Sequence, residues 1–232
     1  MWSALLIIPI VIVALIAYTI YGHHRHLAAS TGAPIETALR PNTALLIVDL
    51  QEDFTSDTAK NAYPVDRLQD AFVAINDLVE TANAADIPVI SIRQKFDGFY
   101  INLLVKLFNE GRGGASSDGL ALDDRIDGDV DHDIVKSRAD AFHEPELDRV
   151  LARHNVGKLI IVGLDGDYCV NATIQGALNR GYDVSISDAT TLALNPESWL
   201  KTKSRLIAAG VHDGIAKHSA PKADQAKILD PV

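Results

Sequence analysis

The sequence predicts an α/β protein, with a parallel sheet covered by helices on both faces to give three layers. Three observations carry that prediction. Short apolar runs of strand length alternate with segments whose apolar residues recur at helical spacing. The runs are almost continuously apolar instead of alternating, which is the pattern of strands buried on both faces. Each run is separated from the next by a helical segment, as right-handed crossovers between parallel strands require. The composition, 47% hydrophobic and 22% charged, is that of a globular domain.

The chain opens on "WSALLIIPIVIVALIAYTIY" at residues 2–21, which carries no charged side chain. At about 1.5 Å per residue it is long enough to span a bilayer core. Trp2 marks one end and Tyr18 and Tyr21 the other, where interfacial aromatics belong. Pro9 would kink such a helix, which membranes tolerate. The stretch is therefore read as a transmembrane anchor over residues 1–22. A cleaved signal peptide is the alternative, with "HLAAS" as its cleavage site and export as its consequence, but no Lys or Arg precedes the apolar run. Basic residues follow it, in "HHRH" at 23–26 and at Arg40, so the positive-inside rule puts the folded domain in the cytoplasm. The histidines read as a polar membrane flank, because no second ligand group is spaced with them.

Residues 23–42 form a linker, small and polar with two prolines, and residues 43–232 the folded domain. "ALLIVDL" at 44–50 is the first strand. Residues 65–85 repeat apolar side chains at Val65, Leu68, Phe72, Ile75, Val79 and Ala82, a helical stripe. "IPVISI" at 87–92 is the second strand. A helix near "FYINLLVKLFN" leads through a glycine-rich acidic connection to a strand at "DIVKS". Then come a helix at about 145–154, the strand "KLIIVGL" at 158–164 and a helix at 168–180. The strand "DVSISDA", a helix near 197–209 and a weak last strand near 214–217 complete the order.

In such sheets ligands sit beyond the carboxyl ends of the strands. Asp49 follows the first strand, Lys136 ends the strand "DIVKS", and Cys169, the one cysteine of the chain, follows "KLIIVGL" and a short turn. An Asp at a strand end is often a turn former, a Lys there is usually solvated, and a lone Cys is usually filler. Three such residues on one edge are a different matter. A helix N-terminus and an ammonium both favour a thiolate, and a carboxylate beside it can move the thiol proton to a departing amine. Cys169 is then the nucleophile, Asp49 the acid–base group and Lys136 their electrostatic partner. Gly163 and Gly166 let the backbone turn so that amide N–H groups face a developing oxyanion.

The segments "LLIVDLQEDF", "VKSRADAF" and "VGLDGDYCVNAT" resemble the three signature regions of the isochorismatase-like cysteine hydrolases, which include nicotinamidases and N-carbamoylsarcosine amidases. The resemblance covers about residues 42–209. It implies a six-stranded parallel sheet in a Rossmann-like order and an Asp49–Lys136–Cys169 triad. It also implies a cis peptide at Leu164–Asp165 and an oxyanion hole from the backbone N–H groups of Asp165 and Cys169. The implied reaction is hydrolysis of a C–N bond in a small-molecule amide through a thioester, and family members often form homo-oligomers. Phe54 corresponds to a residue lining the family's substrate pocket.

The departures are as informative. Nicotinamidases hold a metal through an Asp and histidines after the second strand, where this chain reads "RQKFDGFYINLLVKLFNEGRGG" without histidine, so no catalytic metal and no cofactor are expected. Asp165 adds a negative charge near the thiol. Cys169 disfavours the vinyl-ether reaction of family members that lack the cysteine. "DGDVDHD" at 127–133 lacks the glycine and terminal glutamate of an EF-hand loop and reads as a solvated turn. "GRGG" at 111–114 reads as a mobile loop, and residues 96–126 as a lid or subunit contact. The net charge of −10 excludes nucleic acid as a partner. The competing class is a membrane-tethered, non-catalytic binding protein on the same fold.

Overall fold

The computed structural model describes residues 2–59 and 62–215. Six strands form one sheet: β1 (Asn42–Val48), β2 (Val89–Gln94), β3 (His132–Lys136), β4 (Val156–Gly163), β5 (Asp183–Ile186) and β6 (His212–Asp213). Their order is β3-β2-β1-β4-β5-β6, and every neighbouring pair is parallel. The chain builds outward from β1 to β3, then returns to the other side of β1 with β4. The topological switch lies between β1 and β4, where the connections leave in opposite directions and open a crevice.

Alternate residues of each strand face opposite layers. Leu45 and Ile47 of β1, with Val89, Ile160 and Val162, pack against Leu68, Phe72, Ile75 and Val79 of α3 (Val65–Ala84). Leu46 and Val48, with Ile90, Ile92 and Ile161, face the opposite layer. That layer contributes Leu147 and Leu151 of α5 (Pro145–Arg153), Ile174 of α6 (Asn171–Leu178) and Leu206 of α7 (Pro196–Ala208). The shorter helices α2 (Glu52–Thr55) and α4 (Phe99–Phe108) follow β1 and β2. They sit in the connections beyond the carboxyl edge.

Gly163, at the end of β4, has φ +117, and a Cβ there would come 2.0 Å from the carbonyl oxygen of Val48. Only glycine permits both the angle and the contact. The ends of β1 and β4 are therefore held together where Asp49 departs from one and the turn toward Cys169 from the other.

The N-terminal expectation is overturned. A helix is present, α1 (Trp2–Leu27), but among the described residues no helix is long and apolar enough to cross a membrane. Side chains of α1 are described from Pro9 onward, and its apolar run from there reaches Tyr21. That is about 20 Å at about 1.5 Å per residue, against about 30 Å of hydrocarbon. The helix then continues through Gly22, His23, His24, Arg25 and His26, and this polar turn docks on the domain. Ala139 N–H donates to the carbonyl of His26 at 3.1 Å, and the His26 ring lies 5.6 Å from that of Phe96. The transmembrane anchor, and the cytoplasmic or exported placement deduced from it, are withdrawn.

The segment after α1 is likewise bound instead of loose. Ser30 N–H donates to Asp140 at 2.6 Å, the Arg180 guanidinium donates to Ser30 Oγ at 2.9 Å, and Ile35 N–H donates to the Arg180 carbonyl at 2.8 Å. Two boundaries differ from the sequence reading. The helix expected at 168–180 begins as a single π turn (Gly166–Val170) before α6. The last strand lies at His212–Asp213, ahead of the expected 214–217, of which 216 and 217 fall outside the described residues.

Candidate active site

Asp49 is the first residue past β1. Its φ of +55 turns the chain out of the sheet, while its N–H still donates to Ile92 on β2 at 2.8 Å. Lys136 is the last residue of β3. β2 stands between these two strands, and Lys136 reaches across it so that its Nζ donates to Asp49 Oδ2 at 2.9 Å and to Gln94 Oε1 at 2.7 Å. Asp49 is 2% exposed and Lys136 0%. An isolated charge would be very costly there, so each requires the other.

The structure also places Cys169 at this pair, inside the π turn, and its thiol interacts electrostatically with both Asp49 and Lys136. Burial raises the Asp49 carboxyl above its ordinary value, with Lys136 opposing. Burial alone would depress Lys136, but the Asp49 carboxylate and the Cys169 sulfur carry it upward. For Cys169, burial and the neighbouring Asp49 charge outweigh the pull of Lys136 and push the thiol well above its usual range. The sequence had pointed the other way, to a thiolate stabilised by a helix N-terminus. Burial and the carboxylate push against that pull, and neither effect is visible in residue spacing.

The turn before Cys169 is fixed from all sides. The Leu164–Asp165 peptide is cis. The Asp165 carboxylate accepts from Asp167 N–H at 2.8 Å, Leu194 N–H at 2.7 Å and the Tyr63 hydroxyl at 3.2 Å. Burial still raises its pKa, with the two backbone donors and Tyr63 opposing. The charge feared near the thiol is thus absorbed by three donors. Within the turn, Gly166 N–H donates to Leu192, and the N–H groups of Tyr168 and Val170 donate to Asp165 O. None of these bonds uses the amides of Asp165 or Cys169.

Asp49 and Cys169 open into a cavity of about 230 Å³ whose walls include Phe54, Tyr63, Phe96, Leu164 and Leu194. Phe54 lies in the wall of this cavity. Gln94, Tyr63 and Phe96 were missed. Gln94 had a legible signal, because it stands at the carboxyl end of a strand like the three residues that were found. Its amide Nε2 is buried without a hydrogen-bond partner.

The segment after α4 closes the rim. Asp53 accepts from Gly113 N–H at 2.6 Å and from Ser117 Oγ at 2.8 Å, and Phe96 N–H donates to Gly113 O at 2.7 Å. The "GRGG" stretch, expected to be mobile, is tied down by these bonds. Asn109 brings the same segment into the cavity wall. Among the described residues no group of three His, Cys, Asp or Glu is placed to hold a metal ion.

Comparison with known proteins gives a consistent result. The isochorismatase domain family matches residues 43–212. A "probable inactive nicotinamidase" of Arabidopsis thaliana is 28% identical over 165 residues, covering 67% of this chain and 83% of the relative. Streptothricin hydrolase of Streptomyces noursei is 32% identical over 167 residues, covering 69% of this chain and 58% of its own length. Among solved structures, a nicotinamidase/pyrazinamidase from Bacillus subtilis superposes with a TM-score of 0.65 at 19% identity, covering 75% of this chain and all of that one. At that identity the superposition speaks for the fold.

Proposed function

From the premise that this chain belongs to the isochorismatase family, we propose that it is a cysteine hydrolase that cleaves the C–N bond of a small amide through a thioester. The observation that carries the reading is the buried Lys136–Asp49 pair, 2.9 Å apart, beside the one cysteine at the floor of a cavity.

Each proposed role follows from where the three side chains stand. Asp49 takes the proton of the Cys169 thiol as sulfur attacks the carbonyl carbon, so a free thiolate need not accumulate. The negative charge that develops on the carbonyl oxygen is met by the Asp165 and Cys169 amides. Collapse of the tetrahedral intermediate breaks the C–N bond, and Asp49 delivers its proton to the departing nitrogen. The carboxylate then draws a proton from water, which attacks the thioester and releases the acid. The proton returns to sulfur. Lys136 stays charged throughout and holds Asp49 in place. The unpartnered Gln94 amide offers a donor to a polar group of the substrate.

The cavity walls narrow the substrate class. Among the described residues its walls carry three carboxylates (Asp49, Asp53 and Asp165) and no cationic side chain, which favours a neutral or cationic amide over an anionic one. The test is ammonia or amine release from a panel of small aromatic and aliphatic amides, with Cys169→Ala beside the wild type. Turnover and a mass-detected acyl adduct in the wild type alone are expected, and activity retained in Cys169→Ala would sink the proposal. The second reading, a non-catalytic binder on the same fold, is favoured by the upward shift of the thiol. It predicts saturable amide binding with no adduct.

A further inference from the structure

A second cavity, of about 580 Å³, lies between the last turns of α1 and the domain. Its polar walls are opposite in sign to those of the catalytic cavity. Arg25, His23 and His26 come from α1, Arg138 from the segment just after Lys136, and Asp97 supplies the single carboxylate among the described residues. Ile101 and Leu104 of α4, with Tyr18 and Tyr21 of α1, add apolar and aromatic surface. We propose that this cavity is a binding site for a free organic carboxylate, its charge held by Arg25 and Arg138 and its apolar body lying against Ile101 and Leu104.

Four observations support the assignment. Arg25 makes no ion pair among the described residues, and Arg138 has one hydrogen-bonded contact, the His143 ring at 3.4 Å. The two guanidinium groups thus outnumber the carboxylate of Asp97 that shares their concave site among the described residues, and planar bidentate donors suit a carboxylate. Asp97 is engaged by its neighbour, accepting from Gly98 N–H at 2.8 Å. Two carbonyls at and just past the end of α1 that would repel an anion are engaged as well. His26 O accepts from Ala139 N–H, and Ala28 O lies 3.0 Å from His143 Nε2.

His26 adds a neutral wall. Burial, then the Lys136 charge, lowers its pKa to about 4, and Arg25 and Arg138 bring fixed positive charge to the cavity. The His26 ring packs on Phe96, and Phe96 lines the catalytic cavity. The two cavities are therefore separated by one layer of side chains, acidic on one side and basic on the other. This inference stands on its own geometry and does not need the hydrolase chemistry.

The test is calorimetric titration of the full chain with benzoate, and with benzamide as the neutral isostere. Wild type is compared with Arg25→Gln, Arg138→Gln and the double variant, and with an Arg149→Gln/Arg153→Gln control that changes net charge equally on the exposed face of α5. Saturable benzoate binding is expected, weakened about tenfold or more by each cavity substitution and unchanged in the control. The single variants decide the matter if the double one folds poorly. Absence of saturable binding, equal binding of benzamide at this site, or an equal loss in the control overturns the proposal.

Discussion

Replacing Lys136 with methionine keeps the length of the side chain and removes its charge. The structure shows what is left behind. Asp49, 2% exposed, loses the ammonium at 2.9 Å, and its other oxygen already lacks a hydrogen-bond partner. Gln94 Oε1 loses a donor at 2.7 Å. Breaking a buried ion pair by removing one member costs about 3–5 kcal/mol. For a domain of about 200 residues that is about 6–20 °C in Tm.

The pH dependence gives the sharper test. Burial already raises the folded-state pKa of Asp49, and without Lys136 it rises further. A group with a raised folded pKa has its stabilising contribution intact below the unfolded pKa, about 3.9 for Asp, and loses it as pH climbs through the folded value, by about 1.4 kcal/mol per unit. Lys136, also raised, stays charged until well above neutrality in the wild type, so it adds no slope between pH 5 and 8. The gap between Lys136→Met and wild type should therefore be small near pH 4.5 and widen toward pH 8. Adding Asp49→Asn should recover much of it, because the buried charge is then gone. Urea unfolding of the three proteins at pH 4.5, 6 and 8 measures this. A loss below about 1 kcal/mol at pH 8, or a double variant no better than the single one, would refute the account of the pair.

Two further expectations separate chemistry from architecture. Asp49→Asn removes both the acid–base group and a charge that raises the thiol pKa. Iodoacetamide should then modify Cys169 faster at neutral pH, while turnover falls by about 10²–10⁴. A variant slower in both assays would contradict the assignment of Asp49. Gly163→Ala puts a Cβ 2.0 Å from Val48 O at φ +117, and should destabilise by about 3 kcal/mol or fail to accumulate as folded protein. A wild-type denaturation midpoint in that variant would mean that β1 and β4 are not held as close as described.

The sheet, its parallel order and the three candidate residues that meet at its carboxyl edge were legible because one rule covers them all. Continuously apolar runs mark strands buried on both faces, and whatever follows each run stands on the carboxyl edge. That rule found Asp49, Lys136 and Cys169, and would have found Gln94 had the second strand been followed two residues further. What stayed hidden depends on the third dimension. Tyr63 and Phe96 read as core residues until the cavity between them is seen. The direction of the thiol shift depends on how far burial outweighs an ammonium, and no spacing reports that. The N-terminal run misled for a related reason. Hydropathy records what a segment avoids, and the described part of α1 is too short an apolar stretch, ending in a turn docked on Phe96 and Ala139.

The anchoring of Ser30 and Ile35 to Asp140 and Arg180 bears on how the domain can be cut. A fragment that begins at residue 43, where the family match starts, would be a natural choice for expression. It would leave Asp140 Oδ2 without its donor from Ser30 and bare the Arg180 guanidinium, which is 4% exposed in the intact chain. It would also uncover the His26 side of Phe96 and so loosen a wall of the catalytic cavity from outside. Deletions meant to simplify the protein should stop ahead of residue 26, since the residues between there and β1 are bonded into the body they precede in sequence.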